Sequence, residues 1–229
     1  DWSSDVCSSD LRVSAIFGIA RRGDSAGRTR QQREPMETTL TDNGAVTAVI
    51  TRDEAKAHLR VYHSEDNTYL DTLILSATQV IEAETRRAMI TRAFTLSMDQ
   101  FPAGVISLPR SPLVSVTSVT YKDEAGATQT LASSAYLAFA INGVGRVQLK
   151  ASQTWPNTYA EGGMVADINF TAGYGAAAAS VPVALKHAVL LQAAHMYENR
   201  ASVNIGNIVN EIPMTVQRLI VQYHSGEYS

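Results

Sequence analysis

The stretch VPVALKHAVLLQAAHMYENR, residues 181–200, decides the fold. Pro182 suits the first turn of a helix, where a missing N–H costs nothing. Residues 184–197 are almost all good helix formers, which predicts a central helix about 28 Å long, the width of a small domain. Lys186, His187, Gln192 and His195 interrupt the apolar residues, and the stretch is too short for a membrane span.

Apolar residues surround most of this central helix. They form two neighbouring sides, Leu185, Val189 and Met196 on the first and Ala184, Ala188, Leu191 and Ala194 on the second. A helix that is apolar most of the way round is buried on most sides. We expect more apolar surface than the chain itself covers, with another copy covering the remainder. The expected subunit interface comprises Ala184, Ala188, Leu191, His195 and Glu198.

Three further helices are predicted. Thr51 and Glu54 form a capping box that opens a short helix. A second helix is expected over residues 65–87, with its apolar positions spaced for one buried face and its polar positions facing water. The latter are Asp71, Gln79, Glu82 and Arg86. Pro213 opens a last short helix, whose apolar face holds Val216, Leu219, Ile220 and Tyr223.

Between residues 93 and 171 the apolar period changes from 3.6 to 2, which predicts strands. Asp123–Gly126 and Asn142-Gly143 read as hairpin turns. Residues 36–50, in contrast, read as a polar lead-in without regular structure. The predicted fold class is therefore α+β, a small bundle of about four helices with a β-rich insertion between the second and third.

The chain divides into four predicted segments. Residues 1–35 are expected to be a non-native or disordered leader, since DWSSDVCSSDL (1–11) matches the translation of a common short-read sequencing adapter. Residues 36–92 hold the N-terminal helices, 93–175 the β-rich insertion, and 176–229 the C-terminal helices and tail. Cys7, the only cysteine, falls in the leader, which excludes a disulfide framework.

Composition and motifs favour an interaction or structural protein over an enzyme. Without the six arginines and five acidic residues of 1–35, 13 basic and 17 acidic residues remain, a net charge of −4. Such a mildly acidic body is a poor direct DNA binder. The sequence has no nucleophile elbow, Walker A loop, dinucleotide fingerprint or H-E-x-x-H motif. We expect no catalytic residue, no metal and no cofactor.

The order of the C-terminal pieces carries a family resemblance. FTAGYG (170–175), a short Ala-rich link, the stretch 181–200 and EIPMTVQRLIVQYH (211–224) follow one another. This arrangement resembles the C-terminal half of the head–tail connector, or adaptor, proteins of tailed phages and gene transfer agents. The resemblance covers nearly everything from about Thr51 to His224.

The resemblance implies a structural virion protein. Such connectors form a ring, typically of about twelve copies, that docks beneath the portal protein and extends the DNA channel toward the tail. It implies three contacts: other copies, the portal, and a stopper or tail-completion protein on the tail side. DNA would pass through without sequence-specific binding, and no membrane is involved. The location would be the virion neck, assembled in the cytoplasm of a bacterial host.

The resemblance also places the portal contact in the C-terminal segment, with Leu219, Ile220 and Tyr223 as anchors. The family often has a basic residue after this tyrosine, whereas His224 follows Tyr223 here. Two alternatives stay open: another neck protein, such as a stopper, and a metal-dependent enzyme built in the helical bundle. The enzyme would use His187, His195 and Glu198, with Glu84 approaching from the second helix.

Overall fold

The computed structural model describes residues 36–159, 162–200 and 213–224. Its helices are α1 (Arg52–Leu59), α2 (Asn67–Thr85), α3 (Val183–Glu198) and α4 (Met214–Ile220). Its strands are β1 (Thr38–Asp42), β2 (Arg92–Met98), β3 (Ile106–Ser107), β4 (Leu113–Lys122), β5 (Thr128–Thr130), β6 (Tyr136–Ile141), β7 (Val144–Leu149) and β8 (Ala166–Ala172). The predicted α+β class is confirmed, with a β-rich insertion between α2 and α3.

Local signals in the sequence set the helix and hairpin ends. The Thr51 N–H donates to Glu54 Oε2 at 2.6 Å, and the Glu54 N–H donates to the Thr51 hydroxyl, so the capping box is present. Asn142 and Gly143 have φ values of 53° and 84°, which is the conformation that a two-residue hairpin turn requires. The turn joins β6 to β7 as predicted.

The strands form two antiparallel sheets. The larger sheet has the order β1-β2-β8-β4-β5, and the smaller has the order β3-β7-β6. The inward residues of both sheets form one apolar core that includes Phe94, Ile168, Phe170 and Val147. The rings of Phe94 and Phe170, which are partners across β2 and β8, stack with centroids 5.6 Å apart.

Strand β1 lies in the segment that the sequence analysis treated as a polar lead-in. It pairs with β2 along its whole length, from Thr38 opposite Met98 to Asp42 opposite Phe94. As an edge strand with almost every residue exposed, it shows no alternation of apolar and polar residues. Its assignment depends on β2, so the local pattern does not reveal it.

The helices enclose a second apolar core. Leu185, Ala188 and Val189 of α3 pack there against Ile74 and Ile81 of α2. Val216 and Ile220 of α4 and Ala55 of α1 complete the same cluster. In the part of the chain that the structure describes, none of the helices combines the length and hydrophobicity that a membrane span requires.

A buried charge network joins the helices to the larger sheet. Glu82 of α2 is 3% exposed and accepts hydrogen bonds from Arg92 at 2.6 and 2.9 Å and from the Met89 N–H at 2.6 Å. Arg92 also donates to Asp42 of β1 at 2.8 Å. The prediction that Glu82 faces water is therefore wrong, because Arg92, close in sequence but on a strand, neutralises it in the interior.

Candidate assembly interface

The fold of the chain itself covers α3. Six of its residues are buried: Leu185, Ala188, Val189, Gln192, Ala193 and Ala194. Leu190, Leu191 and Met196 pack partly buried against the same helical core. Among the residues of α3, Val183 at the first turn is the large apolar side chain that stays exposed, at 76%. The expectation of an uncovered apolar side on this helix is wrong, because α1, α2 and α4 occupy both of its apolar sides.

The five residues expected to contact another copy have different environments. Ala188 is fully buried in the helical core, so the structure contradicts its assignment to a subunit interface. Ala184, Leu191 and His195 are half-buried, and Glu198 is exposed. Their contact with another copy stays a prediction. The surface that α3 presents is mixed and mostly polar rather than a continuous apolar face.

The residues of the metal-site alternative do not converge. Within the described ranges, no group of three or more His, Cys, Asp or Glu side chains lies close enough together to hold a metal ion. His195 Nδ1 lies 3.2 Å from the side-chain nitrogen of Asn199, one turn further along the chain. This arrangement provides a helix-end contact and lends no geometric support to metal chemistry.

The apolar face of α4 packs against its own bundle. Ile220 and Val216 are buried in the helical core, and Leu219 and Tyr223 pack against it. Ile220 is therefore wrong as a portal anchor, because this face completes the subunit. Met214, the first residue of α4, is 63% exposed, and Val221, the residue that directly follows α4, is 64% exposed. Because Val221 keeps helical backbone angles, the seven-residue spacing places both side chains on one face.

Arg87 fixes the C-terminal segment to the rest of the bundle. Its Nε donates to the Tyr223 carbonyl oxygen at 2.5 Å, and its Nη1 donates to the Tyr174 hydroxyl at 3.1 Å. The guanidinium carbon lies 5.9 Å from the Tyr223 ring centroid and 6.0 Å from that of Tyr174. Burial raises the pKa of Tyr174, against the lowering effect of Arg87. The position of α4 is thus set by a residue just beyond α2.

A second cluster fixes the end of α3. Asp66 Oδ2 accepts a hydrogen bond from the Tyr197 hydroxyl at 2.5 Å and from Arg200 at 2.8 Å. The Arg200 guanidinium lies 4.7 Å from the Tyr197 ring centroid and 4.9 Å from that of Tyr69. The bond from Tyr197, followed by that from Arg200, holds the pKa of Asp66 below its usual range.

Sequence reasoning missed both clusters. In the sequence, Arg87 and Asp66 are simply polar residues at the two ends of the predicted second helix (65–87). Both side chains form hydrogen bonds to residues more than 80 positions away. Arg87 bonds to Tyr174 and Tyr223, and Asp66 bonds to Tyr197 and Arg200. Tyrosine and arginine near helix ends are the available signal, but the spacing does not reveal which of them meet.

Solved structures of one kind of particle match this chain. The neck of an empty gene transfer agent (GTA) particle, computed with C6 symmetry, matches with a TM-score of 0.69. The virion of a native GTA particle matches with 0.68, and the neck of a native GTA particle, computed with C12 symmetry, with 0.63. All three alignments have 26% sequence identity and cover 83% of this chain and 97% of the matched chain.

The chain is similar to GTA neck proteins. This confirms the resemblance inferred from the order of the C-terminal pieces, and it confirms the predicted location in a virion neck. These relatives are structural components, which points to a structural role for this chain. No family model and no curated protein matches it significantly.

Proposed function

We propose that this GTA-neck-like chain is an adaptor that forms a ring under the portal and extends the DNA channel toward the tail. The proposal rests on the match to chains of symmetric GTA necks, in which the alignment covers 97% of the length of the matched chain. It includes both the helices and the β-rich part, because 83% of this chain takes part in it.

The two symmetries support a ring of about twelve copies. A chain that lies off a twelve-fold axis occurs in multiples of twelve, and C6 is a subgroup of C12. One ring of twelve therefore agrees with both the C6 and the C12 structures. The contact between copies joins two different faces of the subunit, since rotational symmetry of this order needs a heterologous contact.

The net charge of −4 outside the first 35 residues suits the proposed channel. DNA phosphates bind strongly where lysine and arginine neutralise them, and such binding would hinder passage. A mildly acidic body lets DNA move through without sequence-specific contact. The portal would lie at one end of the ring and a stopper or tail-completion protein at the other.

We keep the portal contact in the C-terminal segment but assign it to different residues. Ile220 and its buried neighbours hold α4 against the bundle, and Arg87 holds the segment after it. The face with Met214 and Val221 is then free to reach a partner. These two exposed side chains, rather than the buried Ile220, are the apolar groups for the portal.

Electron microscopy of the full chain mixed with the portal protein from the same gene cluster tests the proposal. We expect rings coaxial with the portal. Val221→Asp should weaken portal binding about tenfold or more, because it places a charge in an apolar contact. Val114→Asp is the matched control, since Val114 on β4 is similarly exposed (57% against 64%) but lies in the sheet.

Two results would count against the adaptor role. A chain that stays monomeric and ignores the portal contradicts it. Rings that bind the tail-side protein but not the portal favour the stopper instead. If Val114→Asp impairs portal binding as much as Val221→Asp does, the ring can stand but the portal contact is misplaced.

A further inference from the structure

The chain contains two Asn-Gly dipeptides, Asn43-Gly44 and Asn142-Gly143. Asparagine before glycine is prone to lose ammonia, because glycine has no Cβ to hinder the attack of its backbone nitrogen on the asparagine side chain. Both asparagines are exposed, so neither the sequence nor the exposure gives a reason for one to react before the other. Their hydrogen bonds, however, are different.

Asn142 and Gly143 form the exposed turn between β6 and β7. Ile141 and Val144 are the strand partners that close the hairpin on either side of it. Within the described residues, the Asn142 side chain forms no hydrogen bond, and neither the Asn142 carbonyl oxygen nor the Gly143 N–H has a backbone partner. The two groups that would react, the side-chain amide and the Gly143 nitrogen, are therefore both unrestrained.

Rotation of a single peptide group brings these two groups together. Ring closure requires the Gly143 nitrogen to eclipse Cβ of Asn142, which corresponds to a ψ of about −120°, the value at the first central residue of a type II′ turn. Both hairpin turn types, I′ and II′, keep a positive φ at that residue, and glycine tolerates the change of φ that follows at Gly143. The rotating peptide group has no backbone partner, and the Gly143 carbonyl oxygen keeps its hydrogen bond from the Leu113 N–H at 2.9 Å.

The dipeptide Asn43-Gly44, just after β1, is held in place. Asn43 Nδ2 donates a hydrogen bond to Thr95 Oγ1 at 2.8 Å, and the Gly44 N–H donates to Asp42 Oδ1 at 3.2 Å. Gly44 also packs closely against Arg92, whose Cβ would lie 2.8 Å from a Cβ added to the glycine. Both reacting groups must therefore lose a hydrogen bond before they can meet.

We propose that Asn142 is a site of spontaneous deamidation in the folded protein and that the fold protects Asn43. The Gly143 nitrogen gives up its proton and bonds to Cγ of Asn142, the Cγ–Nδ2 bond breaks, and Nδ2 takes up the proton and leaves as ammonia. Water then opens the resulting succinimide ring at either carbonyl, which gives aspartate or isoaspartate. One water is consumed and one ammonia is released, and no oxidant or reductant is needed. The adaptor role is independent of this reaction.

The products change the turn next to Arg87. Arg87 Nη1 lies 3.6 Å from the position that a Cβ would take on Gly143, and the same guanidinium holds the Tyr223 carbonyl oxygen. Aspartate adds a negative charge there and leaves the main chain as it is. Isoaspartate adds the same charge and lengthens the main chain by one atom, which a two-residue turn does not accommodate. We therefore expect the isoaspartate form to loosen the closing pair of the hairpin.

Ageing of the full 229-residue chain at mildly alkaline pH, followed by mass spectrometry, tests the proposal. A short trypsin digestion releases the two dipeptides in separate peptides, residues 34–52 and 123–146, each with a single asparagine. In the folded chain, Asn142 should deamidate at least about tenfold faster than Asn43, because Asn43-Gly44 must first break two hydrogen bonds. In urea the two sites should react at similar rates, since the protecting bonds are then absent.

Two variants test the assigned causes. Asn142→Gln should stop the reaction at the turn, because its longer side chain would require a six-membered ring. Thr95→Val removes the acceptor of the Asn43 side chain and keeps the branched shape, so it should raise the rate at Asn43 and leave the rate at Asn142 unchanged. Far-UV circular dichroism checks that each variant keeps the fold.

Thermal unfolding tests the effect of the products. The aged chain should melt below Asn142→Asp, which carries the new charge without the extra main-chain atom. Asn142→Gln, aged in parallel, accounts for damage elsewhere in the chain. An aged parent that melts like aged Asn142→Gln would contradict the expected loosening of the hairpin.

Three outcomes would overturn the proposed site. They are equal rates at the two asparagines in the folded chain, a faster reaction at Asn43, and an intact Asn142 in the folded chain when the sample in urea has fully reacted. An unchanged rate at Asn43 in Thr95→Val would remove the assigned protection. None of these results bears on the adaptor proposal, which is decided by whether the chain forms rings on the portal.

Discussion

Glu82 is the position where a single substitution should cost the most stability. Glu82→Ala removes both hydrogen bonds to Arg92 and leaves the Met89 N–H without its acceptor. Although burial alone would lower the pKa of Arg92, its bonds and charge attraction to Glu82, then Asp42, raise it. The guanidinium therefore stays charged in the interior. Breaking a buried pair in this way costs about 3–5 kcal/mol.

Urea and thermal unfolding measure this loss. For a domain of this size, about 3–5 kcal/mol lowers the melting temperature by roughly 6–20 °C. The control is Asp71→Ala, which breaks the pair between Asp71 and Arg52. Their side chains are 42% and 43% exposed, so the expected cost is below about 1 kcal/mol.

A double variant separates the charge from the packing. Glu82→Leu with Arg92→Met replaces the buried pair by apolar groups of similar size and should recover the part of the loss that comes from the unpaired charge, whereas the Met89 N–H still lacks its acceptor. Asp42 is partly exposed and tolerates losing its partner. The reasoning is refuted if Glu82→Ala unfolds within about 1 kcal/mol of the parent, or if it matches Asp71→Ala.

Three further expectations follow from single contacts. Gly173→Ala should lower the free energy of unfolding in urea by about 3 kcal/mol or more, because φ is +144° and the added Cβ would lie 2.4 Å from Thr91 Cα. The control Gly104→Ala should be nearly neutral, because there is open space around Gly104. The hydrogen bond from Tyr197 lowers the pKa of Asp66, so the Asp66 carboxylate stabilises the fold above about pH 3.8, and this contribution is lost as the pH falls further. Asp66→Asn should therefore flatten the acid part of the plot of unfolding free energy against pH. An unchanged slope would contradict the assignment. Arg87→Met should speed amide exchange in α4 about tenfold, whereas equal rates would show that the tether is not needed.

Periodicity and short-range signals were enough to predict most of the fold. The helices begin and end near their predicted limits because capping boxes and prolines act within a few residues. The β-rich insertion was visible because one face of most strands is buried, which imposes a period of two.

Features that depend on distant partners could not be predicted in this way. Strand β1 is defined by its pairing with β2 across more than 50 positions. Glu82 is buried because Arg92 neutralises it, and an isolated glutamate in a helix pattern reads as solvent-facing. For the candidate site, the sequence indicated which helices are apolar but not which of their sides the subunit itself would cover. That is why Ala188 and Ile220 were assigned to contacts and lie in the core instead.

Because the subunit's own helices cover α3, folding of the subunit does not depend on a neighbouring copy. If the central helix had needed a neighbouring copy, subunits would fold only in the ring, as in obligate oligomers. Here α1, α2 and α4 complete the helical core within one copy, and Arg87 and Asp66 fix its ends. We therefore infer that a monomer folds before it assembles, and the ring contact must come from surfaces outside that core. Under the proposed function, such a subunit can stay monomeric until it meets the portal and joins a ring there. Melting temperatures that do not rise with protein concentration would agree with this order of events, and a steep rise would contradict it.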